Sequence, residues 1–447
     1  MNDPLVILIS MPWGRVDRPS IQLGILQSVL LRAGIRTAVR SFNLAFLDYI
    51  VAATADLPNQ DRIYLNDYFE VSEDEGRVGL GEWIFAVDPF QNSSERDEQY
   101  LNYVSATNTP EELLAKAMQM RRLVPPFLEC CVEDALARRP RIVGFSSTFS
   151  QNVPSLVLAK LLKSRDPSIH IIFGGSNCDG PMGEALHRAF PWVDTVVRGE
   201  AERVLPQLIK DLSNGGVRPH PGLCYRENGQ PVAIDQKGSD IPMDEVPLPN
   251  YDEFLERLSR SDSRAEILPH LVIPFESARG CWWGAKKHCT FCGLNGTSMA
   301  FRSKSPSLVV EELLALARKH GQLNFTAVDN IIDMSYFRDF LPKLQDTGYD
   351  FTLFYETKAN LKKEHLWAMR QAGIVAFQPG IETFSTPLLK LMDKGVTALQ
   401  NIRLLKWCAE LGIHARWNFI YGFPQEPIDE YDRMADLVKS LTHLRPP

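Results

Sequence analysis

The sequence predicts an α/β protein with two domains in series. Short apolar runs alternate with helical patterns over most of its 447 residues. The alternation stops in a stretch rich in proline, glycine and polar residues at 219–249, and then restarts. Three cysteines fall within twelve residues early in the second series, at 281–292.

The first strand is the apolar run at 5–10, which leads into Met11-Pro12-Trp13-Gly14. A helix over 20–33 stops at Gly34, and 36–46 forms the second strand and its exit, completing one βαβ unit. Residues 48–123 break the rhythm with aromatic, acidic and amide residues, including the polar stretch 91–99. They read as an inserted helical excursion, a packing element more readily than a substrate site. Alternation resumes with a helix over 126–138, a strand over 141–147, a helix over 153–163 and a strand over 170–173. A helix over 183–190, a strand over 195–198 and a helix over 201–212 follow.

This is the pattern of a doubly wound parallel sheet, which binds ligands at the carboxyl ends of its strands. The residues there are Trp13, then Ser146-Ser147-Thr148, Gly174-Gly175-Ser176 and Gly199-Glu200. They suit a large flat ligand that approaches the backbone; as an alternative, they are only tight strand-to-helix turns. A small hairpin is expected over 222–232, inside the linker, with the domain boundary near residue 250.

In the second domain a strand over 271–277 delivers the cysteine loop. Strands over 325–329, 351–356, 375–381 and 414–420 alternate with helices over 307–320, 336–347, 363–372, 398–411 and 429–441, and residues 388–392 lie in a short helix. Five βα units in series predict a barrel or partial barrel, with function at the C-terminal strand ends. Asp329, Asn330, Glu356, Lys358, Glu382, Ser385 and Asn418 stand there, beside the cysteines. Each alone suits a capping role; four strands with such ends suit a shared site.

Seven residues separate Cys281 from Cys289, and two separate Cys289 from Cys292. Three thiolates without a fourth nearby suit a 4Fe–4S cluster with one iron open to a non-protein ligand. A Cys3His zinc site using His288 is the alternative, but His288 is adjacent to Cys289, which strains a shared metal. The other cysteines, at 130, 131, 178, 224 and 408, read as buried thiols.

The net charge of −7 gives no electrostatic case for nucleic acid as a main partner. No apolar run of eighteen residues appears, and the start lacks the basic region of a signal peptide, so neither a membrane span nor export is expected. Eight cysteines without a disulfide framework suit a reducing, cytoplasmic setting. HEXXH and Walker-type loops are missing.

Through GCWWGAKKHCTFCGLNG, the chain resembles cobalamin-dependent radical SAM enzymes, and within them the group that matures ribosomally made peptides (RiPPs), usually as C-methyltransferases. The commonest family motif has three residues between its first two cysteines; the longer spacing here is similar to the peptide-maturation group. The resemblance implies a Rossmann-like cobalamin-binding domain over 1–218 with an insertion at about 48–123, a linker over 219–250, and a partial (β/α)6-type radical SAM barrel over 251–447.

It implies that Cys281, Cys289 and Cys292 hold the cluster and that S-adenosylmethionine (SAM) chelates the open iron. Phe291 is then beside the adenine, and Asp329 and Asn330 take the place of the family's Gly-Gly-Glu-like motif for the methionyl amine, a loose match. Glu356 and Lys358 serve the ribose and carboxylate, Glu382, Ser385 and Asn418 are further SAM contacts, and Gly422 with Phe423-Pro424 supports the adenine side. The Asp-x-His-x-x-Gly signature of one cobalamin class does not occur, so no protein histidine would ligate cobalt. Ser146, Ser147, Thr148, Gly174, Gly175 and Ser176 would hold the displaced nucleotide tail, with Gly199 and Glu200 beside them, and Trp13 either faces the corrin or belongs to the core.

The implied activity is methylation of an unactivated peptide carbon, with one SAM for the 5′-deoxyadenosyl radical and another to methylate cobalamin. A precursor peptide and an electron donor such as flavodoxin or ferredoxin are the implied partners. A non-methylating cyclisation or rearrangement is the alternative within enzymes, as is a relative that has lost cobalamin. A non-catalytic metal-binding or precursor-recognition protein is the alternative outside them.

Overall fold

The computed structural model describes residues 5–73, 79–90, 93–107, 109–235, 238, 240–294, 296 and 299–447. Part of the expected polar stretch (91–92) and residue 295 of the CGLNG run lie outside them. The chain divides into two compact units, residues 1–241 with 246–271, and residues 242–245 with 272–447.

The first unit is built on a seven-stranded sheet. Its strands are β1 (Val6–Ser10), β2 (Thr37–Ser41), β3 (Ile142–Ser146), β4 (His170–Gly174), β5 (Thr195–Val197), β6 (Leu223–Glu227) and β7 (Gln230–Ala233), in the order β2-β1-β3-β4-β5-β6-β7. The first five are parallel in the 2-1-3-4-5 order of flavodoxin-like sheets. Strands β1 and β3 are buried along their whole length, which is why both read as continuous apolar runs. The hairpin expected at 222–232 forms as β6 and β7, and β6 pairs antiparallel with β5, so it extends the sheet. Helix Ile21–Arg32 starts at Ser20, whose side chain accepts from Leu23 N, and ends before Gly34 at φ +75°.

The excursion is helical. Helix Phe42–Thr54 begins directly after β2, and Leu65–Glu73, Leu80–Phe85 and Ser94–Ser105 follow. The helix expected at 126–138 instead runs Glu111–Leu136, through Pro125 and Pro126. The prolines remove ladder donors, but Met120, Val124, Phe127, Leu128 and Cys131 form one buried stripe across them. That register turns Cys130 outward, so Cys130 is exposed and the expectation of a buried thiol fails there; Cys131, Cys178, Cys224 and Cys408 are buried. Helix Asp252–Arg260 packs against β2 and helix Phe42–Thr54, and Glu253 accepts from Ser41 N and Oγ. The first unit thus reaches residue 271.

The second unit holds five parallel strands, β8 (Ile273–Phe275), β11 (Asn324–Ala327), β12 (Thr352–Lys358), β13 (Ile374–Gly380) and β14 (His414–Ala415). They are neighbours in chain order, with helices Pro306–His320, Phe340–Asp346, Lys363–Gln371 and Ala398–Leu411 between them. Two short strands, β9 (Ala278–Arg279) and β10 (Arg302–Ser303), pair antiparallel and close the neck of the cysteine loop. The strand expected at 414–420 shortens to two residues plus a lone parallel bridge between Glu382 and Phe419. Residues 416–418 make no bridge, and pairing returns only at Glu382, which stands at φ +61° and accepts from Ile420 N at 2.9 Å. The helix expected at 336–347 splits into a 3-10 turn, Met334–Phe337, and helix Phe340–Asp346. Among the described residues no helix is long and apolar enough to cross a membrane.

Candidate functional site

The three cysteines sit on a loop pinned at several points. Gly280 at φ +77° starts it, and a Cβ there would lie 2.3 Å from Ala300 O, so glycine is required at this close approach. Cys281 N donates to Met299 O, and Gly284 N donates to Cys281 Sγ at 3.3 Å. The indoles of Trp282 and Trp283 donate to the carbonyls of Ile332 and Asp393 at 3.0 and 3.1 Å. Thr290 donates through its N and Oγ1 to the carbonyls of Met392 and Leu391.

Cys281, Cys289 and Cys292 line one cavity of about 280 Å³, together with Phe291, Asn330, Glu356, Lys358, Glu382 and Asn418. These side chains come from the cysteine loop and from the C-terminal ends of four successive strands. Three other expected residues do not line it. Asp329 is 1% exposed and turns inward, accepting from Ser277 N at 2.8 Å and from Ser277 Oγ. Ser385 caps helix Thr386–Leu391 and donates to Glu430 at 2.6 Å. Gly422 donates through its N–H to Glu426 in the turn beyond Asn418.

The sequence reading missed Trp283, Gln378 and Lys394, which also line the cavity. Lys394 bonds Glu382 Oε1 at 2.5 Å and stands 5.1 Å from the centre of the Phe291 ring. It lies eight residues past helix Thr386–Leu391's start, away from any strand end, so strand-end logic gave no signal for it. Lys358 Nζ stands 3.6 Å over the Trp283 ring and donates to Lys394 O. A Cβ on Gly395 would meet the same indole at 2.2 Å, and Gly380 leaves room for the Lys394 ammonium.

Burial shapes the charges. It raises the Glu356 carboxyl to about 6, helped by nearby Glu382, and lowers the Lys358 ammonium to about 8, with Lys394 adding to the effect. Burial also raises the Cys289 thiol, while Lys394 and Lys358 pull it back towards thiolate. Two ammonium groups therefore stand where three thiolates would concentrate negative charge.

Among the described residues no three His, Cys, Asp or Glu side chains are gathered about one point as a single metal ion needs. A multi-iron cluster, in which each thiolate binds a different iron, takes a wider set, and the shared cavity suits it.

In the first unit, Ser146 and Ser147 are buried, and Asn177 donates to Ser147 Oγ at 3.0 Å. Thr148 and Gln151 form a capping box. Gly175 at φ +97° brings its turn onto Ser147, where a Cβ would lie 2.4 Å from the carbonyl oxygen. Gly174, Gly175, Ser176, Gly199 and Glu200 follow the ends of β4 and β5, and a Cβ on Gly199 would meet nothing within 4 Å. Of these glycines only Gly199 has open space beside it, at the end of β5. Trp13 is 4% exposed, with ring centres of Phe46, Tyr68 and Phe85 at 5.4, 5.1 and 6.0 Å, an aromatic core position.

Residues 275–438 match the radical SAM superfamily, whose chemistry takes a 4Fe–4S cluster and SAM. The chain is similar to an uncharacterized methyltransferase of Pyrococcus horikoshii, 29% identical over 310 residues, 68% of this chain and 64% of the relative. It is also similar to the anaerobic magnesium-protoporphyrin IX monomethyl ester cyclase of Rubrivivax gelatinosus, 26% identical over 322 residues, 68% of this chain and 55% of the relative. Its fold resembles the cobalamin-dependent SAM radical enzyme OxsB with aqua-cobalamin bound, at TM-score 0.66 and 17% identity over 97% of this chain and 52% of that one. The chain thus spans between a half and two thirds of the length of these proteins.

Proposed function

We propose that the chain is a cobalamin-dependent radical SAM enzyme that methylates an unactivated carbon of a ribosomally made peptide. The observation that carries this reading is the single cavity shared by Cys281, Cys289, Cys292 and the carboxylates and lysines of successive strand ends. With a cluster and SAM in this cavity and cobalamin on the first unit, the cofactors supply a carbon-centred radical and a transferable methyl group.

The chain's own residues bind and orient. Cys281, Cys289 and Cys292 hold three irons. Lys358 and Lys394 donate to the SAM carboxylate and offset the thiolate charge. Glu356 and Glu382 accept from the ribose hydroxyls and the methionyl amine, with Asn330 and Asn418 beside them. Phe291 packs on the adenine. The glycine turns after β4 and β5 receive the nucleotide tail of cobalamin, and the Rossmann-like first unit and the barrel-like second unit are the two cofactor domains. An electron donor such as flavodoxin or ferredoxin reduces the cluster, in a cytoplasmic setting.

A non-methylating cyclisation is the second reading, favoured by the similarity to a cyclase over 68% of the chain. Product mass separates the two. Incubation with candidate precursor peptides, SAM and a reductant is expected to add one CH2 unit per turnover. A product that gains no carbon contradicts the methylation reading.

A further inference from the structure

We propose that Phe149 is a contact residue for the flat face of a corrinoid bound at the carboxyl edge of the first sheet. This rests on the cobalamin reading of that unit and deepens it.

Phe149 is 70% exposed, just past the end of β3. A single exposed apolar side chain is ordinary. This one is not free to retract. Its φ is +49°, in the left-handed region that a bulky side chain rarely adopts. Surrounding groups hold it there. Asn177 donates to Phe149 O at 2.8 Å and to Ser147 Oγ at 3.0 Å. The buried Gln151 accepts from Thr148 N and Oγ1 at 3.2 and 2.9 Å and donates to Met11 O at 2.5 Å and Ser10 Oγ at 3.2 Å. From the excursion, Glu82 accepts from Asn152 N at 3.0 Å and Val153 N at 2.6 Å. Each anchor fixes the backbone on one side of Phe149 and leaves the ring outside.

Strain of this kind persists where the surroundings over-determine it, and it concentrates at binding sites. The position is the ligand edge of a flavodoxin-like sheet. Gln151 bridges the end of β1 to the loop after β3, which closes the edge on that side. The open side is the turn after β5, where a Cβ on Gly199 would meet nothing within 4 Å. Met182, 55% exposed near the start of helix Gly180–Ala189, is a second exposed apolar side chain that follows the β4 turn. A planar aromatic ring on a sheet edge with an open glycine turn matches a broad flat ligand. A protein partner seated on Phe149 is the competing occupant.

The test uses the full chain with its cluster reconstituted, and titrates hydroxocobalamin by absorbance. Phe149→Gly removes the ring and relieves the positive φ, so Tm is expected to stay level or rise. Its corrinoid affinity is expected to fall about tenfold or more, as loss of a buried aromatic contact implies, with iron content unchanged. Phe149→Leu is expected to fall between the two. Equal affinity in wild type and Phe149→Gly overturns the assignment and leaves the cobalamin reading standing, as expected for a partner-protein contact. A loss of affinity together with a lower Tm also overturns it, because the residue is then structural. A wild-type chain that binds no hydroxocobalamin removes the cobalamin reading itself, and this inference with it.

Discussion

Asp329 is a carboxyl group that the fold keeps protonated well above its usual range. Burial raises it to about 7, against hydrogen bonds from Ser277 and Ala278 that favour its charged form. A carboxyl raised on folding stabilises fully below its unfolded pKa, and that stability is lost as pH rises through the folded value. Asp329 therefore makes stability fall between about pH 4 and 7, by on the order of 1 kcal/mol per pH unit. Asp329→Asn removes the titration. Urea unfolding at pH 5, 6 and 7 is expected to give a shallower pH slope for the variant; equal slopes would show that Asp329 titrates normally. The sequence made Asp329 and Asn330 equal candidates because both follow one strand. Only packing separates them: Asp329 turns towards Ser277, which leads into the cysteine loop, and Asn330 faces the cavity. Lys394 was invisible for the converse reason, since a lysine after a short helix carries no local mark of the Glu382 it reaches.

Among elements, the cysteine loop depends most on backbone geometry. Gly280 stands at its neck, between β9 and Cys281, with positive φ and no room for a Cβ. Gly280→Ala is expected to lower stability by about 1–3 kcal/mol and to reduce iron incorporation, while leaving corrinoid binding on the first unit intact. Full iron content in that variant would show that the loop tolerates a different path. Strands and most helices were legible because parallel strands buried on both faces read as unbroken apolar runs, as in β1 and β3. Helix Glu111–Leu136 was misread because Pro125-Pro126 is a strong local start signal that a tertiary stripe overrides. The last strand is shorter than expected because pairing with β13 stops at Ala415 and returns only as the lone bridge of Phe419 to Glu382, a partner segment that the sequence of 414–420 does not record.

At the scale of the whole molecule, two α/β units each present a set of strand ends that suits a cofactor. The order of strands and helices in each unit was legible; the role of the excursion was not. It reads as a helical packing insertion, but the sequence does not say which partners it packs on: it supplies Phe85 and Tyr68 to the core around Trp13 and Glu82 to the start of helix Asn152–Arg165. Such long-range partners leave no periodic signature. The division of labour between units predicts that damage to one cofactor set spares the other. The most direct test is anaerobic reconstitution with iron, sulfide and hydroxocobalamin, with iron and cobalt counted in wild type and in Cys281→Ala, Cys289→Ala and Cys292→Ala. About four iron atoms and about one cobalt per chain are expected in wild type, with iron lost and cobalt kept in each variant. Zinc in place of iron, or iron that survives the loss of any one of the three cysteines, would contradict the account.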